Sequence, residues 1–457
     1  MANIWVIARN TIAHAMRMKL ALVVIALLLV ILPVLSVITT GDGTLLGKVQ
    51  SFSSYGISLV SMMLCLMAVA ISCYSLNFEL KYKQLYMLVT KPVSRSEILL
   101  GKFVGLMVVN VLLLALFCSI IYAITVNMPR FSDTTAEDTQ RVETEFFAAR
   151  AGVKPRPPIE EEKLQSLALE RYNRLKNADE LPQGSTVDEV FRIIRGQIIM
   201  QAKSLGPGED FVWRFSNVYP SDEAETIFVR FKLTAVTSAG SDGIATQWIA
   251  GDLRKLEEGK RPDFPVYYSD IRRDPTRTAR ELQIPANVVA EDGYLEIGMQ
   301  NLHYNQVTII PEDVEVLYKR GGFGMNFFRA CVIILVRLTF LTAMGVSFST
   351  WLSFPVAIFV AITIYFIGTV NGFIFDSLEL LSSSMGLLYT FTIKPLLSLM
   401  PKFDGRFNPS PMIVSARMIE WSFVGLNILA TAVARSLVLI GLGILVFNRK
   451  EIARITV

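Results

Sequence analysis

The sequence predicts a polytopic α-helical membrane protein of six spans carrying an α+β extracytoplasmic domain, a helical part followed by a β-sandwich. Three observations predict it. Of 457 residues, 52% are hydrophobic and 18% charged, against about 25% charged in soluble domains, and the mean hydropathy is +0.45. Six apolar stretches are long enough to consider as spans, since roughly 20 residues cross a hydrocarbon core of about 30 Å. Between the third and fourth lies a polar block, residues 127–322, whose pattern shifts from helical to alternating.

The stretches run Leu20–Thr39, Ser54–Leu76, Phe103–Val126, Phe327–Ser349, Pro355–Phe375 and Thr431–Phe447. The first is too long for the apolar region of a signal peptide and lacks a small-x-small cleavage site, so it reads as an anchor. Ahead of it, in residues 1–19, Ile4, Ile7, Ala8, Ile12 and Ala15 recur at helical spacing, with Arg9, Asn10 and Arg17 elsewhere on the wheel. That pattern reads as an amphipathic helix in the cytoplasmic interface, or as a helical extension of the first span.

Lysine and arginine set the topology. Arg9, Arg17 and Lys19 precede the first span; Lys81, Lys83, Lys91, Arg95 and Lys102 lie between the second and third; Arg449, Lys450 and Arg454 follow the last. The Thr40–Phe52 loop holds only Lys48. The positive-inside rule then puts both termini, the 77–102 loop of the first membrane block (20–126) and the 448–457 tail in the cytoplasm, with 127–322 outside.

The outer block divides near Gly206. In 127–205, Leu164, Ala168, Tyr172 and Leu175 keep one helical face after the Pro-rich link KPRPP, and Thr186-Val-Asp-Glu189 forms a capping box before Val190, Phe191, Ile194 and Ile198. In 206–322 the period becomes two. Ile227, Val229, Phe231 and Leu233 alternate with Phe228, Arg230 and Lys232; Leu295, Ile297 and Met299 follow an Asp292-Gly293 turn; Val314 and Val316 precede Lys319. Such runs predict an antiparallel sandwich.

In the second membrane block, 323–457, the segment 378–430 is neither plainly soluble nor plainly a span, with Lys394-Pro395 inside it; outward re-entrant or interfacial helices fit it. Arg337 falls in mid-span, where a charge is expensive in lipid and should face protein or water. It reads as a pathway-lining residue, or as the partner of Asp376 or Glu379, or as snorkelling. Arg435, in the outer third of the last span, reads as snorkelling.

Enzymatic and metal chemistry find little footing. Cys65, Cys73, Cys118 and Cys331 all sit in apolar stretches, without zinc spacing or a disulfide framework. Only His14 and His303 are present, which excludes multi-histidine metal sites, and the net charge of +4 makes no case for nucleic acid. Gly43-Thr-Leu-Leu-Gly47-Lys48-Val49 is one residue short of a phosphate-cradling loop and lacks its hydroxyl. Gly345-Val-Ser347-Phe-Ser349 lacks the second glycine of a nucleophile elbow. No cofactor is expected.

The segment ELKYKQLYMLVTKPVSRSEILLGK, from Glu79 to Lys102, is the most informative. Leu85, Tyr86 and Leu88 offer an apolar face among Lys81, Lys83 and Gln84, Pro92 enforces an extended residue before it, and Ser94-Arg-Ser-Glu97 is a capping box for the third span. An amphipathic helix between two spans can lie across the membrane face and insert into a groove on a partner. This string resembles the signature of ABC-2 type transporter permeases at Glu79, Leu85, Leu88, Lys91, Pro92, Ser94, Arg95, Glu97, Gly101 and Lys102. Further similarity lies at ARNTIAHAMRMKL (8–20), SFSTWLSFPVAIFVA (347–361) and LGILVFNRKEIAR (442–454), in family order.

The resemblance implies an ABC-2, type V exporter-like membrane fold in a bacterial cytoplasmic membrane, acting as a non-catalytic permease subunit. It implies two partners, a second permease subunit (in a homodimer or heterodimer) and a cytoplasmic ABC ATPase that hydrolyses ATP. Glu79, Lys83, Leu85, Leu88, Lys91, Pro92 and Arg95 would couple to that ATPase, and the N-terminal helix would brace the membrane surface. Export or extrusion of a lipid-linked, polymeric or amphiphilic substrate is implied over import. The outer block departs from the short loop of many family members. Its stretch 282–302 is similar to jelly-roll modules that bind sugars; a scaffold or a docking site for an extracytoplasmic partner is the other reading. The competing class is a structural or sensory membrane protein whose outer sandwich binds an envelope partner or glycan.

Overall fold

The computed structural model describes residues 2–81, 93–131, 135–178, 180, 187–220, 225–235, 243–254, 265–302, 309–388, 391–392 and 394–449. In chain order the elements are α1 (Ala2–Arg17), α2 (Lys19–Ile38), α3 (Leu45–Lys81), α4 (Arg95–Asn127), α5 (Ala136–Glu145), β1 (Ala148–Val153), α6 (Glu161–Asn177) and α7 (Val187–Lys203). There follow β2 (Asp210–Phe215), β3 (Thr226–Ala235), β4 (Ile244–Gly251), β5 (Tyr267–Tyr268), β6 (Arg272–Asp274), β7 (Ala279–Pro285), β8 (Leu295–Asn301) and β9 (Ile309–Gly322). The chain closes with α8 (Phe323–Phe348), α9 (Phe354–Leu388), α10 (Lys394–Leu399), α11 (Pro409–Val414), α12 (Trp421–Asn427), a π-helical stretch Ile428–Arg435, and α13 (Ser436–Arg449). Two compact units result: Met1–Ala149 with Gly321–Val457, and Arg150–Arg320.

In the first unit, six helices among the described residues are long and apolar enough to cross a membrane: Lys19–Ile38, Leu45–Glu79, Arg95–Phe131, Phe323–Phe348, Phe354–Phe375 and Trp421–Arg449. Helices satisfy their backbone groups internally, as hydrocarbon demands. α3 and α8 form the centre, each burying 72% of its apolar window, against 17% for α2. The peripheral helices turn apolar stripes outward, Val23, Val30 and Val37 on α2 and Phe359, Phe366 and Phe373 on α9. Such stripes suit lipid or a partner helix and would be a liability in water.

α1 lies along the start of α4. Its buried face is Ile7, Ala8, Thr11 and Ala15, while Trp5 and Val6 stay exposed. Contact is close because α4 presents Gly101 and Gly105, four residues apart. A Cβ on Gly101 would come 2.7 Å from the Ile7 Cβ, and one on Gly105 would come 2.6 Å from the Ala8 carbonyl oxygen. Small residues at this spacing let helix backbones approach in membranes. α4 starts on the expected capping box: the Glu97 amide donates to Ser94 Oγ at 3.2 Å, and the Ser94 amide to Glu97 Oε2 at 2.9 Å.

Boundaries in this unit differ from expectation at three places. α3 begins at Leu45, within the Thr40–Phe52 stretch read as a loop, because Thr44 caps it, its Oγ1 accepting from the Gly47 amide at 3.0 Å. The last span begins at Trp421 rather than Thr431, because Gly425 and Asn427 dilute the apolar signal of a helix that continues through the π-helical stretch. Within 378–430, α9 runs on to Leu388, and among the described residues 394–420 forms short helices and turns.

The Arg150–Arg320 unit holds two sheets, ordered β1-β9-β3-β7 and β2-β8-β4-β5, with β6 also pairing β4. One apolar cluster joins them. The alternating sets Ile227, Val229, Phe231, Leu233 and Leu295, Ile297, Met299 are all buried in it, and the Phe231 and Trp248 rings meet at 4.4 Å. Before β8, Gly293 takes a φ of +73° while the Tyr294 amide donates to Asp292 Oδ1 at 3.2 Å, the expected turn. Strand β1 lies inside 127–205, the part read as helical. Its run AARAGV carries no alternation, and its place comes from pairing with β9. α6 and α7 form a hairpin with a core of Ala168, Val190 and Ile194, Tyr172 stacking on Phe191 at 4.8 Å. Thr186 of the second capping box lies outside the described residues.

Across the first sheet, Arg150 and Arg230 share one carboxylate, reaching Glu281 at 3.0 Å and 2.6 Å. Burial alone would raise the Glu281 carboxyl, but the two guanidinium charges and their hydrogen bonds outweigh it and hold the group below its ordinary 4.5. A depressed carboxyl contributes stability above its unfolded value and loses it as pH falls through the folded one. Hydrogen exchange of the β3 and β7 amides should therefore be pH-insensitive in stability terms above about 5 and accelerate below 4.5. Glu281→Gln should remove that acid dependence and cost about 1–3 kcal/mol of protection at neutral pH.

Candidate functional site

Two side-chain clusters hold the membrane unit together at places the sequence marked. The first flanks the loop between α3 and α4. Lys83, Leu85, Leu88, Lys91 and Pro92 lie outside the described residues, so the structure reports on the loop through its two flanks. On the α3 side, Glu79 does not point away from the bundle. Its Oε1 accepts from Lys102 Nζ at 2.7 Å, and the same ammonium donates to Ser75 O at 3.3 Å and Ser75 Oγ at 3.2 Å. Lys102 is 1% exposed, and Glu79 Oε2 is buried without a partner among the described residues. A lysine on the second turn of a span reads in sequence as a topology signal; nothing in its spacing announces that it folds inward.

On the α4 side, Arg95 donates from Nη1 to the carbonyls of Phe447 at 2.8 Å and Asn448 at 3.0 Å, with its guanidinium 5.9 Å from the Phe447 ring. These carbonyls belong to the last turn of α13, whose final C=O groups have no intrahelical partner and carry the negative end of the helix dipole. Arg95 thus ties the start of α4 to the end of the last span. Deeper in the bundle, Asn110 Nδ2 donates to Thr342 Oγ1 at 2.8 Å and Ser347 Oγ to Leu439 O at 2.7 Å, linking α4 to α8 and α8 to α13.

The second cluster surrounds Arg337, about 21 Å along α8 from its first residue. The side chain is 6% exposed. Its Nη2 donates to the carbonyls of Phe403 at 2.9 Å and Phe407 at 3.1 Å, its Nη1 to Ser61 Oγ at 3.3 Å, and its plane sits 4.9 Å from the Phe403 ring. The partners are backbone carbonyls of 394–420. The side chains of Asp376 and Glu379 lie outside the described residues.

Other groups clasp the same segment. Asn371 Nδ2 donates to Leu397 O and Pro401 O at 3.2 and 3.3 Å, and the Phe403 amide donates to Gly368 O at 2.8 Å. Asp404 accepts from the Gly372 and Phe373 amides. Asn326 both donates to Arg417 O and accepts from the Ile419 amide, each at 2.8 Å. Irregular backbone at membrane depth survives only where protein satisfies it, and these contacts do so.

Both clusters are testable. Lys102→Met should cost about 3–5 kcal/mol, because it strands the Glu79 carboxylate in a buried site. Lys102→Met with Glu79→Leu should recover much of the loss, measured by thermal unfolding of the detergent-solubilised chain. Arg337→Met should speed amide exchange over 401–408 about tenfold or more while leaving α3 protected, a local opening rather than global unfolding.

Residues 14–141 match the family model described as ABC-2 family transporter protein. No curated protein matches the chain. The matched segment runs from the last turn of α1 into α5, so it contains the α3–α4 loop with Glu79, Arg95 and Lys102. Six apolar helices long enough to cross a bilayer accompany it. Its first membrane block is therefore similar to ABC-2 family transporter proteins, and the chain is a multi-pass membrane protein.

Proposed function

We propose that this chain is the permease subunit of an exporter powered by a separate cytoplasmic ATPase, working with a second permease subunit and extruding a lipid-linked, polymeric or amphiphilic compound. The observation that carries the reading is the family match over 14–141, which spans the loop that would seat in the ATPase. In this arrangement both termini and the 77–102 loop face the cytoplasm of a bacterial inner membrane, and Arg150–Arg320 lies outside. The basic residues around the loop favour that orientation.

The flanks of the loop suit force transfer. A push on residues 82–92 reaches α3 and α4 together, because Glu79 and Lys102 join them just inside the bundle. Arg95 passes it to α13, and α1, seated on Gly101 and Gly105, moves with α4. Arg337 holds the 394–420 segment as a wall of the pathway rather than as a ligand for the cargo. The energy comes from the partner: Gly43–Lys48, the nearest approach to a phosphate-binding loop, is spent capping α3, with the Thr44 amide donating to Asp42 Oδ1 at 3.1 Å and the Gly47 amide to Thr44 Oγ1 at 3.0 Å.

Affinity purification of the tagged full chain should bring down an ATP-binding subunit whose vanadate-sensitive hydrolysis depends on the pair. Lys91→Glu with Leu88→Asp should cut that co-purification about tenfold or more, the scale of one lost interface hot spot, without changing thermal unfolding of the permease. Recovery of no ATP-binding protein, or labelling of Lys83→Cys from the outside of intact cells, would overturn the proposal.

A further inference from the structure

The five-stranded sheet of the Arg150–Arg320 unit has one face in the core and one open, and the register shows what the open face carries. Asp210, Gln300 and Gln247 form one row across β2, β8 and β4. Val212, Gly298, Ile249 and Tyr268 form the next, reaching β5. The residues between them, Phe211, Trp213, Trp248, Ile297 and Met299, belong to the core face. The two rows enclose a groove of about 350 Å³, within the size range of small-ligand sites.

At the centre of the groove Gly298 contributes no side chain of its own. Gly298 stands in mid-strand without a positive φ, so the backbone conformation does not require glycine there. A Cβ would meet Ile249 Cγ2 at 2.6 Å and Val212 Cγ2 at 3.6 Å. Glycine in a strand interior weakens the strand and marks a close approach to the backbone; here the Ile249 side chain makes that approach, lying over Gly298 so that the two form a low floor to the groove. Around it stand groups free to bind: Asp210 and Gln300 are exposed, and Gln247 makes only a 3.4 Å contact to Ser269 O. Tyr268 is 60% exposed on the edge strand, while Tyr267 packs against the core.

This chemistry selects the ligand class. None of the described lining residues is cationic, and Arg214, farther along the same face, is held by Glu296 at 3.0 Å. Phosphate or carboxylate would thus meet Asp210 and no counter-charge. A purely apolar ligand would leave a carboxylate and two amides desolvated without partners, a cost of about 1–3 kcal/mol for each. A sugar answers both conditions. Its hydroxyls donate to the Asp210 carboxylate and exchange hydrogen bonds in either sense with the two amides, while the apolar face of a pyranose can cover the Tyr268 ring.

We propose that this open face binds a neutral glycan, with Tyr268 stacking on a sugar ring over the Gly298 floor and Asp210, Gln247 and Gln300 taking its hydroxyls. The inference rests on this unit alone and goes beyond the transport reading, so each can fail without the other.

The test uses the full chain in nanodiscs. Maltohexaose, cellohexaose and chitohexaose are titrated by calorimetry and by saturation-transfer NMR, followed by an array of neutral and acidic oligosaccharides. At least one neutral oligosaccharide should bind. Tyr268→Ala should weaken that binding about tenfold, and Gln300→Ala about threefold, both without changing thermal unfolding, since neither side chain is in the core. Co-purification of the ATPase partner should be untouched by either. Failure of every neutral oligosaccharide to bind, capture of acidic saccharides or proteins alone, or binding indifferent to Tyr268→Ala would each overturn the proposal.

Discussion

A charge in the middle of a span and a stretch of broken backbone at the same depth are each costly alone, and in this protein each removes the other's cost. Arg337 brings donors that the 394–420 segment needs, and the Phe403 and Phe407 carbonyls give the guanidinium the polar environment that lipid would deny it. Phe403, buried against Phe340 and Tyr365, keeps water from the pair. The central position of α8 follows. A helix with Arg337 on one face and Asn326 a few turns earlier has to be wrapped by protein, and its 72% burial reflects that. The peripheral helices, free of such groups along their apolar stripes, face outward.

The same logic runs where α3 and α4 meet. Lys102 and Glu79 make a buried ion pair, and such pairs are weak evidence for stability because desolvation consumes most of the attraction. What they do supply is geometry. With Ser75 as a third partner, the pair admits one relation between the end of α3 and the second turn of α4. Arg95 adds a fixed relation to α13, and the Gly101–Gly105 stripe fixes α1. Around the ends of α3 and α4, these contacts join α3 to α4, α4 to α13 and α1 to α4.

Much of this organisation could be read from the residues, and the parts that could not share a physical cause. The spans declare themselves through length and composition, the start of α4 through the reciprocal Ser94–Glu97 cap, and the strands β3 and β8 through strict alternation. All of these are local signals. Arg337 was recognisable as an anomaly, but its partners are carbonyls of Phe403 and Phe407, and a carbonyl has no sequence signature. Lys102 was legible as a basic residue near a span's start, and its inward turn depends on Glu79 across another helix. β1 lacks alternation, since its sheet position is set by β9, and the Trp421 start of the last span is masked by Gly425 and Asn427. Gly298 reads as an ordinary strand glycine until the register places Asp210, Gln247, Gln300 and Tyr268 around it.

The two units use arginine in different ways, and the difference follows from their surroundings. In the Arg150–Arg320 unit, guanidinium groups meet carboxylates: Arg150 and Arg230 with Glu281, Arg214 with Glu296, Arg254 with Asp252 and Asp292. The Arg254 contacts hold Asp292 below the ordinary carboxylate range and raise Arg254 itself. In the membrane unit, Arg95, Arg329 and Arg337 each pair backbone carbonyls with an aromatic face, those of Phe447, Trp421 and Phe403. A carboxylate partner at membrane depth would require stripping a second ion of its water. Carbonyls at helix ends and broken segments are already present, already dehydrated and already without partners. The guanidinium, planar, weakly hydrated and always charged, can use both a carbonyl and a ring at once. Lysine cannot offer that fork, which is why Lys102, the one buried lysine among the described residues, relies instead on a carboxylate and a serine at the bundle's edge.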